Sequence, residues 1–169
     1  MTDIVAGDPV SCSRLGGGLR SQAVQLLAVR AELEEAIGSC GRSDPGLVDA
    51  TRPGVRLLDA VIEQLDRTGA VLQQYAQELA QVIEGARQLE ARAHDAGLEL
   101  QGLRVVEPWG VSPADSAARR QAAQPQLQQQ ADRLASGLGR SRGAVRRVMA
   151  QGTELLELAS SSVRGSLGG

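Results

Sequence analysis

The side chains able to do chemistry are few, and the sequence scatters them. His94, in the segment ARAHDAG, is the sole histidine of the chain. A histidine on a helical bundle is the arrangement used for phosphotransfer, but the Lys-Gly neighbour of such sites is missing and Asp95 follows directly. Glu32, Glu34 and Glu35 offer carboxylates without any Glu-x-x-His pair, so a di-iron bundle site is not supported and a solvated face is expected. Cys12 and Cys40 flank the first helical segment. A helix over residues 19–38 would be roughly 30 Å long and would hold the two thiols beyond disulfide reach, so both are expected to be free. Two Cys and one His at these separations also make a poor zinc set. The run Gly16-Gly17-Gly18 follows no strand and lacks the Lys-Ser or Lys-Thr of a phosphate loop, and no second His exists to build a triad with a Ser or Cys. The expectation is a protein that is not an enzyme, with no catalytic residue, metal, cofactor or small-molecule substrate.

Trp109 is the residue on which two readings compete. A Trp in a turn can plug the ends of two helices, with its indole N–H at the surface; an exposed one can anchor an interface. The second is preferred here, because the chain has one Trp and places it in the turn beyond its longest helical stretch.

The elements that position these residues are helices. From about Gly54 to Arg104 one heptad register runs Val55, Ile62, Gly69, Ala76, Ile83, Glu90 and Gly97, and another Leu58, Leu65, Leu72, Leu79, Ala86, Ala93 and Leu100. Only Glu90 breaks the seam. Apolar residues spaced by three and four return to one face of a helix, and a third stripe, Val61, Tyr75, Val82, Leu89, Ala96 and Leu103, widens that face beyond a two-stranded seam. Upstream, Leu19, Leu26 and Leu33 with Ala23, Leu27 and Ile37 predict a shorter helix. Downstream, Leu127, Ala131, Leu134, Leu138, Val145, Val148, Leu155 and Ala159 keep one register across Gly137, Gly139 and Gly143, which predicts one long helix kinked near Pro125. Nothing resembles a strand pattern.

The fold class expected is therefore all-α, a long antiparallel helical hairpin with an additional N-terminal helix. Residues 1–18 read as a flexible lead-in because Asp8-Pro9 and the glycine run oppose an early long helix, although Ser11 or Ser13 could cap a short one. Residues 19–165 read as a single helical domain with helices at about 19–38, 50–104 and 113–164, and residues 166–169 as a tail. GSCGRSDPG is the first loop, with Asp49 or Thr51 as the following N-cap, and VVEPWGVSP is the second. Equal lengths and a tight turn make the two long helices antiparallel neighbours. The first helix then covers the near half of the second. Beyond its reach the second helix has one intramolecular neighbour, so Val82, Leu89, Ala96 and Leu103 are expected to stay exposed. Trp109, Gly110, Tyr75, Val82, Leu89 and Leu103 are the expected partner-binding residues.

Composition narrows the setting. The chain contains no Lys, Asn or Phe, and its 18 basic residues are all Arg. Those missing residues have AT-rich codons, so a GC-rich genome, such as an actinobacterium's, explains the bias. The net charge of −2 hides an asymmetry: residues 54–104 carry five Arg against eight acids, and residues 113–169 eight Arg against four. Opposite charge favours pairing of the two segments. The basic segment lacks the interleaved aromatics of a nucleic-acid surface, so no nucleic-acid partner is expected. No run of eighteen apolar residues occurs and the N-terminus has no secretory signal pattern. Synthesis in the cytoplasm is expected, with any export lacking a cleaved signal peptide.

GDPVSCSRLGGGLRSQAVQLLAVRAELEEA, a Gly-rich loop near residue 40, and LLDAVIEQLDRTGAVLQQYAQELAQVIEGARQLEARA together resemble WXG-family (ESAT-6-like) helical hairpin proteins, the small substrates of actinobacterial type VII (ESX-like) secretion systems. Leu72, Tyr75, Ala76 and Leu79 match the L-x-x-YA-x-x-L pattern of the longer WXG-like modules, and the resemblance spans residues 7 to 104. Gly41-Arg42-Ser43 stands where the family has Trp-x-Gly, and Leu79 stands where its export signal has an acidic residue. The resemblance implies a helical interaction module, a substrate or partner in type VII-like secretion, that pairs with another helical chain or with itself as a dimer and meets a membrane only through a secretion apparatus. The alternative is a cytoplasmic coiled-coil scaffold that self-associates through the same stripes.

Overall fold

A computed structural model describes residues 7–41, 45–109 and 114–167. Three helices account for most of them: α1 Pro9–Gly41, α2 Pro45–Asp95 and α3 Ala114–Leu167. The protein is all-α in this sense. It departs from the sequence reading in a small antiparallel β-hairpin, β1 Glu99–Gln101 and β2 Arg104–Val106, with Leu100 opposite Val105.

Each boundary has a local cause. α1 begins ten residues earlier than 19, because Asp8-Pro9 starts the helix instead of opposing it. The Asp8 carboxylate accepts from Val10 N–H at 3.0 Å, and Pro9 occupies the first helical position, where its missing N–H costs nothing. α1 also runs past Gly38 to Gly41. α2 begins at Pro45, so neither Asp49 nor Thr51 is its cap. Thr51 donates back to the Val48 carbonyl at 3.2 Å and Asp49 pairs with Arg52 at 3.3 Å, while Pro53 lies inside the helix.

α2 stops at Asp95, not near Arg104. Gly97 adopts φ +72°, a left-handed conformation that a Cβ disfavours. Its N–H donates to the His94 carbonyl at 2.9 Å, and Leu98 N–H donates to Ala93 O at 2.7 Å. These are the two bonds of a Schellman cap, and its usual hydrophobic contact is present too, since Ala93 and Leu98 are buried in one cluster. Gly102, at φ +63°, then opens the two-residue turn Gly102-Leu103 of the β-hairpin, as a type II′ turn requires. α3 is continuous through Pro125 and the glycines.

The described residues pack as two compact units, those within 7–10 and 75–143 and those within 11–74 and 144–167, here unit 1 and unit 2. Unit 1 holds most of the buried hydrophobic residues. Leu79, Val82, Ala86 and Leu138 form one buried cluster; Leu89, Ala93, Leu98, Val105, Leu127 and Ala131 form another. α2 and α3 run in opposite directions here: Arg92 bonds Gln130, Gly85 lies against Leu134, and Glu78 accepts from Ser141. Tyr75 packs on the first cluster beside Leu138, whereas a Cβ at Gly137 or Gly139 would meet open space. Gly137 and Gly139 therefore do not make room for the tyrosine.

Within unit 2, only Ala23, Ile62, Leu72 and Val148 are fully buried hydrophobics among the described residues. α1 crosses α2 at two glycines. A Cβ on Gly16 would lie 2.6 Å from the Gly69 carbonyl oxygen, and one on Gly69 would lie 2.6 Å from the Gly16 oxygen. Arg20 bonds Asp66 at 3.0 Å and Gln73 at 3.2 Å, one turn from the crossing. Arg30 binds Asp59, and that bond chiefly raises its guanidinium pKa. On the other side Gln64 donates to the Val148 carbonyl of α3 at 2.8 Å.

Candidate partner-binding surface

The residues singled out for chemistry stay apart. His94 is exposed, and it is its backbone carbonyl that serves the α2 cap. Glu32, Glu34 and Glu35 are exposed, with Glu34 paired to Arg30 at 2.9 Å. Cys12 and Cys40 are free thiols, the first half-buried. No group of three or more His, Cys, Asp or Glu able to hold a metal occurs among the described residues. Of the glycine run, Gly16 is a packing residue at the helix crossing.

The expected partner stripe is in large part internal. Val82 and Leu89 are 7% and 2% exposed, so they are not available to a partner. The sequence reading allowed this stretch of α2 a single neighbour, α3. At Leu89 the second is supplied by Leu98 and Val105, brought back by the Schellman cap and the β-hairpin, and Leu103 of the hairpin turn packs on the cluster that holds Val82. Leu103 and Tyr75 are half-buried against the same clusters. Gly110, like Arg42 and Ser43, lies outside the described residues.

Trp109 is fully exposed, which removes the plug reading because a plug must be buried. Trp109→Ala is accordingly expected to change stability by no more than about 0.5 kcal/mol. A drop in melting temperature equivalent to several kcal/mol would return it to the interior.

Apolar surface is instead concentrated in unit 2. Leu15, Val24, Leu27, Val29 and Leu33 of α1 and Met149, Leu156 and Leu158 of α3 are all exposed large hydrophobics, against Val10 and Trp109 in unit 1. They do not lie on one stripe, but part of them meets in a groove. Leu15 and Leu19 of α1, Val61 and Leu65 of α2, and Met149 and Leu156 of α3 line it together. The groove has a volume of about 310 Å³. Its polar atoms are few, and Gln64 spends its amide on Thr68 and the Val148 carbonyl. Such a surface offers no reactive group and no fixed charge. What it can do is take up apolar side chains.

The heptad pattern does not mark this groove. A usable signal was present in α1, whose apolar residues fall on more sides than contact with one neighbouring helix needs. Among the described residues no helix is long and apolar enough to cross a membrane.

The chain matches no family model, no curated protein and no solved structure.

Proposed function

We propose that the protein is a helical interaction module whose unit 2 groove receives a helix of another chain. The observation that carries this reading is the groove itself: three helices leave an apolar trough lined by Leu15, Leu19, Met149 and Leu156. A trough shared by three helices is filled by the apolar face of a fourth, and contiguous exposed apolar surface marks interaction sites in general. In this reading α2 and α3 form the long antiparallel hairpin and α1 is the additional helix that completes the trough.

The setting we propose is type VII-like secretion, in which the chain acts as a WXG-like substrate or as the partner of one. It rests on the resemblance of residues 7 to 104. Tyr75 and Glu78 do not offer a free export signal, since Tyr75 packs on the core and Glu78 accepts from Ser141. A role as partner to an exported chain therefore fits better than independent export.

The test is co-expression with the WXG-like protein encoded nearest to it in the same genome, followed by light scattering of the purified complex. A heterodimer is expected, and Leu156→Glu is expected to abolish it while leaving the melting temperature within a few degrees, because Leu156 is 59% exposed. Absence of a complex, or a complex that Leu156→Glu leaves intact, would refute the groove as the docking site.

A further inference from the structure

The two outer edges of the β-hairpin in unit 1 are treated differently. The two-residue turn closes on the hydrogen-bonded pair Gln101 and Arg104, so the next pair, Leu100 and Val105, turns its N–H and C=O groups outward. On β2 these groups are met by α3. Val105 N–H donates to Gln128 Oε1 at 2.8 Å, and its carbonyl accepts from Gln124 Nε2 at 3.4 Å. On β1 no residue of the described chain bonds the Leu100 N–H or C=O. Leu100 packs its side chain on the core cluster, and Glu99 and Gln101 on either side are exposed. No Pro, Lys or bulge protects this edge, the devices that commonly do so.

We propose that β1 pairs with β1 of a second copy of the chain, antiparallel about a two-fold axis through Leu100, in the strand order β2-β1-β1-β2. A residue on such an axis faces its own equivalent, so both outward groups of Leu100 exchange hydrogen bonds with the second Leu100. A register centred on Glu99 would place two carboxylates on the axis and pair Leu100 with Leu98, whose N–H already bonds Ala93 O, and one centred on Gln101 would pair Leu100 with Gly102 inside the turn. The register on Leu100 also sets Glu99 opposite Gln101 twice, an acceptor against a donor amide, with no two carboxylates in contact. A three-residue edge gives few bonds, so the association is weak and concentration-dependent. It uses a surface separate from the unit 2 groove.

Sedimentation equilibrium of the full chain up to about millimolar concentration tests this. Gln101→Glu sets two carboxylate pairs across the axis while facing Arg104 in its own β-hairpin, so the fold is retained. It is expected to raise the self-association Kd about tenfold. Adding Glu99→Arg to Gln101→Glu places opposite charges across the axis and is expected to restore wild-type association or better. Leu156→Glu should leave this dimer unchanged, which separates its failure from that of the groove. A monomer at every concentration, a dimer indifferent to Gln101→Glu, a double variant that is not rescued, or a dimer lost in Leu156→Glu would each overturn the proposal.

Discussion

Leu89→Glu is expected to unfold unit 1 rather than to detach a partner. Leu89 is 2% exposed and sits among Ala93, Leu98, Val105, Leu127 and Ala131. Removing its side-chain burial alone costs about 2–5 kcal/mol. The new carboxylate would have no cation in that cluster, so either an unpaired charge is buried, at several kcal/mol more, or the glutamate protonates at a comparable cost. The total approaches the whole stability of a small domain, about 5–15 kcal/mol. Circular dichroism should show helicity lost together with a collapsed melting transition. Leu156→Glu is the contrasting variant: it places the same charge on a half-open site and should alter stability by about 0.5 kcal/mol at most. A Leu89→Glu protein that melts like the wild type would put Leu89 back on an exposed stripe, and the core assignment of unit 1 would fall with it.

The contrast between these two leucines shows where sequence pattern carries information and where it does not. Heptads told that residues 54 to 95 and 127 to 159 are helices with a continuous apolar face, because that signal is repeated many times and survives a local exception such as Glu90. They did not tell what covers the face. Leu100 and Leu103 stay in register with the second helix and carry its pattern on to Arg104, yet Gly97 ends the helix at a single position. The glycine followed by an apolar residue was the available cue, since that pair makes the Schellman cap. Strands of three residues are too short to show an alternation, so the β-hairpin could be read only from its Gly102-Leu103 turn. With the β-hairpin unseen, Val82 and Leu89 lacked a second neighbour and looked exposed.

The same limit shaped the reading of the N-terminus. Asp8-Pro9 and three consecutive glycines are breakers by propensity, and propensity alone gave a flexible lead-in over residues 1–18. Asp8-Pro9 works instead as cap and first helical residue. Gly16 is tolerated inside α1 because contact with Gly69 requires a residue without a side chain, so tertiary packing offsets a helix penalty of roughly 1 kcal/mol. Because that contact is made through space to Gly69, local sequence gives little sign of it. The groove escapes the pattern for a related reason: it is lined by α1, whose expected start at residue 19 leaves out Leu15, and by the part of α3 where Met149 and Leu156 lie outside the heptad register.

The glycine crossing makes the second large prediction, and it is one of opposite signs at neighbouring positions. A Cβ at Gly18 would meet nothing within 4 Å, so Gly18→Ala should stabilise the protein by about 1 kcal/mol through helix propensity alone. At Gly69 the same Cβ would lie 2.5 Å from Arg20 Cγ and 2.6 Å from the Gly16 oxygen. Arg20 can move aside, but the backbone oxygen moves only if the whole of α1 moves. Gly69→Leu should therefore destabilise unit 2 by about 3 kcal/mol, at the upper end of overpacking costs, by levering α1 away and stretching the Arg20 bonds to Asp66 and Gln73. Thermal denaturation of both variants measures the pair. Displacing α1 also removes Leu15 and Leu19 from the groove, so Gly69→Leu should lose the helical partner even below its melting temperature, whereas Gly18→Ala should keep it. If both glycines instead respond alike, α1 does not cross α2 at Gly69, and the groove has no α1 lining to lose.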